Sequence, residues 1–157
     1  MSGFRTGVRL GVDVGKARVG VARCDREGLL AVPVETVARG DASAARVAEL
    51  AAEYEAFEIL VGLPISLSGG ETASTDDARA FAVEIAGATR LPVRMVDERL
   101  STVSAHAALR SAGRSQRSSR RIVDQVAAVV LLQQAIDVEK STGTPAGALL
   151  PDSQRPS

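Results

Sequence analysis

The sequence is poor in the residues on which several kinds of site depend. It has one cysteine, Cys24, one histidine, His106, and no tryptophan, and aromatic residues make up 3% of the chain. A single cysteine excludes an internal disulfide framework and a zinc site built from cysteines. With so little histidine, transition-metal chemistry is disfavoured, whereas the plentiful carboxylates suit Mg²⁺ or Mn²⁺. The scarcity of aromatic side chains predicts an aliphatic core.

The chain also lacks an excess of charge of either sign and any long apolar run. Its 19 basic and 19 acidic side chains cancel, so attraction to a polyanion would have to come from a local cluster. No segment approaches the roughly 18 apolar residues of a membrane span, and no signal-peptide pattern opens the chain. We therefore expect a cytoplasmic protein without a membrane partner.

The 157 residues fit one domain, which we expect to cover residues 1–140. Glycine, proline and serine in residues 141–157 predict a flexible C-terminal tail. Valine-rich and short apolar runs predict strands, and apolar residues at three- and four-residue spacing predict helices. The predicted strands are 7–14, 18–24, 29–37, 58–62 and 92–96, and the predicted helices are 42–54, 74–89, 101–113 and 119–140. This order fits an α/β fold with a mixed five-stranded sheet and helices on both faces, the outline of an RNase H-like domain.

Asp13 lies in the first predicted strand, on the face that carries Gly11 and Gly15, because side chains alternate along a strand. Glycines weaken a strand, so their presence suggests that a helix, a ligand or another backbone comes close on that side. The alternative explanation is an ordinary acid beside a hairpin turn.

Two further acids stand at informative places. Glu98 follows a buried strand, and ligands bind at the carboxyl ends of such strands; a solvated cluster with Asp97 and Arg99 is the alternative. Asp124 lies on an apolar helix stripe about a turn beyond the natural N-cap, where an unpaired carboxylate would be costly, although helix capping could also explain it. Oxygen ligands from separate elements are what two-metal phosphoryl chemistry requires, so Asp13, Glu98 and Asp124 are the predicted catalytic ligands of Mg²⁺ or Mn²⁺.

A basic segment without acids precedes Asp124. No Asp or Glu occurs between Arg99 and Val123, while serines are interspersed among the arginines. Guanidinium groups suit bidentate contacts with phosphate, so this segment predicts a nucleic-acid contact surface; a solvated loop is the alternative. The clustered arginines are Arg110, Arg114, Arg117, Arg120 and Arg121.

Four segments resemble the YqgF/RuvX family of Holliday junction resolvases, which have an RNase H-like fold. They are GVDVGKARVGVA at 11–22, ILVGLPISLSGG at 59–70, VDERLSTVSA at 96–105 and DQVAAVVLL at 124–132. The resemblance implies catalytic metal ligands at Asp13, Glu98 and Asp124. It also implies cleavage of four-way DNA junctions or, alternatively, maturation of the 5′ end of 16S ribosomal RNA.

Related resolvases often carry a fourth carboxylate near the last segment, whereas Gln125, Val126 and Ala127 follow Asp124 here. It stays open whether one or two ions bind. Lys16, Arg18 and Arg99 are further candidates for contact with the cleaved phosphate.

Resolution of a symmetric junction needs paired cuts, so the junction substrate predicts a homodimer. Two other functions remain as alternatives. One is an actin-like ATP-binding domain, because Asp-x-Gly in a hairpin can cradle phosphate; the other is a non-catalytic nucleic-acid-binding module.

Overall fold

A computed structural model describes residues 3–66, 68–98 and 116–150 of the chain, and of residues 116–124 it describes the backbone alone. The strands are β1 (Val8–Val14), β2 (Arg18–Cys24), β3 (Ala31–Ala38), β4 (Ala56–Leu63), β5 (Val93–Asp97) and β6 (Ala148–Leu149). The helices within these residues are α1 (Ser43–Glu53), α2 (Ala73–Ala88) and α3 (Gln116–Thr142). One sheet contains the strands in the order β3-β2-β1-β4-β5-β6. Strands β1, β4 and β5 are parallel, and the other neighbours pair antiparallel.

The predicted α/β class, with a mixed sheet and helices on both faces, is confirmed. The sheet has six strands where five were predicted. The additional strand, β6, pairs with Arg94 and Met95 of β5, and periodicity cannot reveal a strand of 2 residues. It belongs to the segment predicted as a tail, whose flexibility stays a prediction. The predicted helix 101–113 lies outside the described residues.

The two faces of the sheet bury different sets of side chains. Helices α1 and α2 cover the face to which β1 sends Leu10 and Val12. Helix α3 covers the other face, where Leu60 and Cys24 are buried. Because Cys24 is fully buried there, it packs as a small apolar side chain.

Helix α3 approaches β1 closely at Gly11. A Cβ atom at Gly11 would lie 2.9 Å from Cβ of Leu132 and 3.1 Å from the carbonyl oxygen of Ala128. Such distances are well inside ordinary van der Waals contact, which for carbon atoms is about 3.5–4.0 Å. A helix therefore comes close on this face of β1, and it is one of the three partners (a helix, a ligand or another backbone) that the glycines suggested.

Gly11→Ala should destabilise the protein by about 1–3 kcal/mol, because the methyl group would push α3 away from the sheet. Gly87→Ala in α2 is the matched control, since nothing lies within 4 Å of a Cβ atom there. It should raise the free energy of unfolding by up to about 1 kcal/mol through helix propensity. Urea unfolding measures both changes, and equal effects would contradict the close approach.

The N-cap of helix α2 lies two residues before the predicted one. The sequence predicts a capping box of Ser74 with Asp77. In the structure Thr72 is the N-cap, and it exchanges hydrogen bonds with Thr75. That prediction was wrong, because Thr72 and Thr75 form the capping box; Asp77 instead accepts from the guanidinium of Arg39 at 2.9 and 3.1 Å.

A buried ionic cluster anchors the C-terminal part of α3 beside the amino end of β1. Glu139 of α3 accepts hydrogen bonds from Arg5 at 2.9 Å and from Arg9 at 3.0 Å. Burial opposes ionisation of Glu139, but the hydrogen bonds from Arg5 and the charges of both arginines outweigh it and lower the pKa to about 2. The cluster ties the C-terminal part of α3 to the amino end of β1.

Candidate active site

Two of the predicted site residues, Asp13 and Glu98, lie at the same edge of the sheet. Asp13 is the next-to-last residue of β1, and Glu98 directly follows β5. Strand β4 lies between these two strands. In β4, Gly62 pairs with Val96 of β5. The preceding residue, Val61, pairs with Val12 of β1. Gly62 is therefore placed between the positions from which Asp13 and Glu98 extend.

The absence of a side chain at Gly62 makes room for Glu98. A Cβ atom at Gly62 would lie 2.7 Å from Cγ of Glu98 and 2.9 Å from its Cδ, and Oε1 would be closer still. Glu98 could not keep this position beside any larger residue. Sequence reasoning missed this role of Gly62, because a glycine at the end of a buried apolar run indicates only the end of a strand.

The carboxyl groups of Asp13 and Glu98 are joined by a hydrogen bond. Burial raises the pKa of Asp13 most, and the hydrogen bond and negative charge of Glu98 raise it further, to about 9. Two carboxylates this close cannot both ionise readily without a compensating cation. A divalent cation would supply that charge, and carboxylate oxygens are ligands that Mg²⁺ and Mn²⁺ prefer. The pair therefore fits a metal site.

The course of α3 across the sheet can be followed from its contacts. Glu139 bonds to Arg9, and Ala128 lies against Gly11. The residue numbers thus rise along α3 as they fall along β1, so the helix and the strand are antiparallel. The N-terminal part of α3 points towards the edge that carries Asp13.

Asp124, the third predicted ligand, lies in this part of α3. It precedes Ala128 by about one helical turn of 5.4 Å, and Asp13 follows Gly11 by about 6.6 Å of strand. The backbone of residue 124 therefore lies at about the level of Asp13. Its side chain is outside what the structure describes, so the convergence of all three acids stays a prediction.

The predicted nucleic-acid-binding residues are described only in part. Arg99, Arg110 and Arg114 lie outside the described residues, and Arg117, Arg120 and Arg121 belong to α3 without described side chains. Lys16 and Arg18 are described, and they border different cavities.

A cavity of about 510 Å³ lies beside β2 and β3 and opens close to the N-terminal part of α3. Arg18, Glu35, Thr36, Ala38 and Gln125 line it. Sequence reasoning did not assign Thr36 or Gln125 to the site. Gln125 follows Asp124 directly, which is the one signal that could have drawn attention to it.

Lys16 borders a second cavity of about 360 Å³ together with Arg39, Asp41, Phe81 and Glu84. Two acids and two bases share this lining, so it carries no marked preference for an anion. Contact of Lys16 with substrate stays a prediction.

The described part of the chain holds no group of three or more His, Cys, Asp or Glu side chains that could bind a metal ion. No helix in the same residues is long and apolar enough to cross a membrane. The Asp13–Glu98 pair is therefore the described portion of the candidate metal site.

The family model "RuvX: Holliday junction resolvase" matches residues 7–138. The chain belongs to the RuvX family. Among curated relatives of this RuvX chain, one from Clavibacter sepedonicus is 57% identical over 151 residues, which is 94% of each chain. One from Streptomyces coelicolor is 51% identical over 147 residues, covering 92% of this chain and 88% of the relative. Both carry the name "Putative pre-16S rRNA nuclease".

Solved structures support the fold of the RuvX chain. RuvC of Thermus thermophilus in complex with a Holliday junction substrate matches with a TM-score of 0.57 and 18% identity, over 91% of this chain and 99% of RuvC. A second structure of Thermus thermophilus RuvC gives a TM-score of 0.53 at 16% identity. These likenesses confirm the RNase H-like fold, and the family membership identifies a nuclease acting on phosphodiester bonds. The ATP-binding and non-catalytic alternatives are thereby disfavoured.

Proposed function

We propose that this RuvX chain is a metal-dependent endonuclease that matures the 5′ end of 16S ribosomal RNA in the cytoplasm. The observation that carries the catalytic part is the contact between the carboxyl groups of Asp13 and Glu98 at the carboxyl edge of the sheet. The names of the curated relatives support the RNA substrate. That substrate was the second expectation from the sequence, after the four-way DNA junction.

Asp13 and Glu98 would hold the cation beside the phosphate that is cleaved. Gly62 keeps the two carboxyl groups together by leaving space for Glu98. Asp124 is the proposed third ligand, because its backbone in α3 lies at about the same level along β1 as Asp13. When bound, Mg²⁺ or Mn²⁺ would activate water and stabilise the leaving oxygen.

Positive side chains would hold the substrate backbone. We assign this role to Lys16, Arg18 and Arg99 and to the arginines of the segment before Asp124. Phosphate contacts of this kind release counterions, so binding should weaken as the salt concentration rises.

The four-way DNA junction is the second candidate substrate. The description of the family model and the likeness to a junction-bound RuvC favour it. This substrate would require a homodimer with paired sites, since a symmetric junction is cut twice.

A cleavage panel separates the candidates. It offers an RNA that spans the 5′ end of precursor 16S ribosomal RNA, a four-way DNA junction, a linear DNA duplex and an RNA–DNA hybrid, each with Mg²⁺, Mn²⁺ or EDTA. We expect cleavage of the precursor RNA at one position, dependent on the metal and lost in Glu98→Gln. Preferential paired cutting of the junction would favour the second candidate, and metal-independent cleavage would contradict the proposed mechanism.

A further inference from the structure

The cavity beside β2 and β3 lies on the same face of the sheet as Asp13. Gly20 pairs with Asp13 on one side and with Thr36 on the other. Residues that pair across neighbouring strands project to the same face, so Asp13 and Thr36 share the face that α3 covers. Two inter-strand spacings of about 4.8 Å place their backbones on the order of 10 Å apart. This separation is comparable to the size of one nucleotide.

Thr36 and Gln125 form a polar pair in the lining of this cavity. Nε2 of Gln125 donates to Oγ1 of Thr36 at 2.7 Å. Within the residues that the structure describes, this is the bond that joins the two side chains; the threonine hydroxyl retains a hydrogen to donate, and the glutamine amide retains its carbonyl oxygen as an acceptor. The pair thus offers one donor and one acceptor, side by side, to a ligand.

The charges at the cavity are compatible with a nucleotide. Arg18 adds a positive charge to the lining. Glu35 would repel phosphate, but Arg46 of α1 donates to both of its carboxylate oxygens at 2.7 and 2.9 Å. Arg46 therefore offsets the negative charge of Glu35, and its hydrogen bonds hold the pKa of that carboxyl below its usual range.

We propose that this cavity binds the ribose of a nucleotide next to the cleaved bond, and that Thr36 and Gln125 recognise its 2′-hydroxyl group. A hydroxyl group both donates and accepts, so it complements the free donor and acceptor of the pair. Deoxyribose lacks this group, which makes the pair a determinant of RNA over DNA. The inference rests on the proposed function, because it assigns a substrate class to the same site.

Gln133 provides a matched control on the same helix. Its Oε1 accepts from the backbone N–H of Ala31 at 2.9 Å, and its Nε2 donates to Asp137 at 3.3 Å. Gln133 therefore also ties α3 to β3, but it does not line the cavity beside Thr36. A purely structural role of Gln125 would make the two glutamines equivalent.

The test uses the precursor RNA and a series of the same RNA in which one nucleotide near the mapped cleavage position is 2′-deoxy. For the native chain, one 2′-deoxy position should reduce the cleavage rate about tenfold, the effect of losing hydrogen bonds of moderate strength. Thr36→Val and Gln125→Met should cleave the native RNA at the reduced rate and show no further loss with the 2′-deoxy RNA. Thr36→Ser and Gln133→Met should keep the native discrimination.

Binding of the same fluorescein-labelled RNAs to the Asp13→Asn variant, followed by anisotropy, should show the same preference without turnover. The inference is overturned if the native chain tolerates every 2′-deoxy position, or if Thr36→Val and Gln125→Met slow both RNAs equally. Efficient cutting of a DNA junction with no cleavage of the RNA would also overturn it. The two failures are distinguishable: if the native chain with Mg²⁺ or Mn²⁺ does not cleave the precursor RNA, the proposed function fails, whereas cleavage of that RNA that is insensitive to every 2′-deoxy position overturns this inference alone.

Discussion

Asp13→Asn should reduce metal-dependent cleavage by at least about 1,000-fold, because a lost cation ligand removes several kcal/mol of transition-state stabilisation. The same change should make the metal-free protein more stable. Asp13 is forced against Glu98, and burial together with that contact raises the pKa of Asp13 to about 9. The neutral amide removes the cost of ionising this group, which is a common compromise between stability and activity at catalytic sites.

The sign of the pH dependence follows from the raised pKa. A carboxyl group whose pKa is higher in the folded than in the unfolded state contributes stability that is complete at low pH. For Asp13 this contribution is lost as the pH rises from about 3.8 to about 9. In EDTA the native chain should lose stability over this range, and Asp13→Asn should lose less.

Urea unfolding in EDTA, repeated with Mg²⁺, measures both effects. Mg²⁺ should stabilise the native chain and have little effect on Asp13→Asn, because a ligand stabilises only the folded state that binds it. Asp41→Asn, at an exposed acid away from Glu98, is the control and should behave as the native chain does. An Asp13→Asn variant that cleaves normally, or that is less stable than the native chain in EDTA at pH 8, would refute this account.

Gly62→Ala should lower the cleavage rate about 100-fold, because a displacement of about 1 Å in a catalytic group has effects of this size. The added methyl group would occupy the space of the Glu98 carboxyl group. Overall stability should change little, since Glu98 can swing away without moving the backbone.

A double-mutant cycle with Glu98→Gln tests whether Gly62 acts through Glu98. If it does, Gly62→Ala should cause little further loss of cleavage once Glu98 has been replaced. Additive losses would show that the methyl group disturbs another part of the site. Gly87→Ala is again the control, because it lies in open space.

Several local features could be predicted because they depend on spacing along the chain. Alternation in β1 predicted the face that carries Asp13. The glycines on that face predicted the close approach of a helix, a ligand or another backbone, and at Gly11 the structure shows a helix, α3. The position of Glu98 after a buried strand predicted its place at the sheet edge. The roles of these acids in catalysis remain predictions.

Other features could not be predicted, since they depend on neighbours far away in the chain. The N-cap of α2 is Thr72 and not Ser74, while Asp77 is engaged by Arg39 from across the fold. The bond between Gln125 and Thr36 joins residues 89 positions apart. Apart from its position directly after Asp124, no local pattern distinguishes Gln125 from a solvated helix residue.

By itself, the sequence determined the α/β class, the family and the supply of carboxylates, because periodicity and residue chemistry are properties of the chain. Only the tertiary structure decided that the carboxyl groups of Asp13 and Glu98 meet, and that Gly62 on the strand between them leaves space for Glu98. The contact between Thr36 and Gln125 was likewise decided by the tertiary structure. The physical reason is that the order of the strands and the direction of α3 determine which of these side chains come into contact. Both result from how the two faces of the sheet bury their apolar residues.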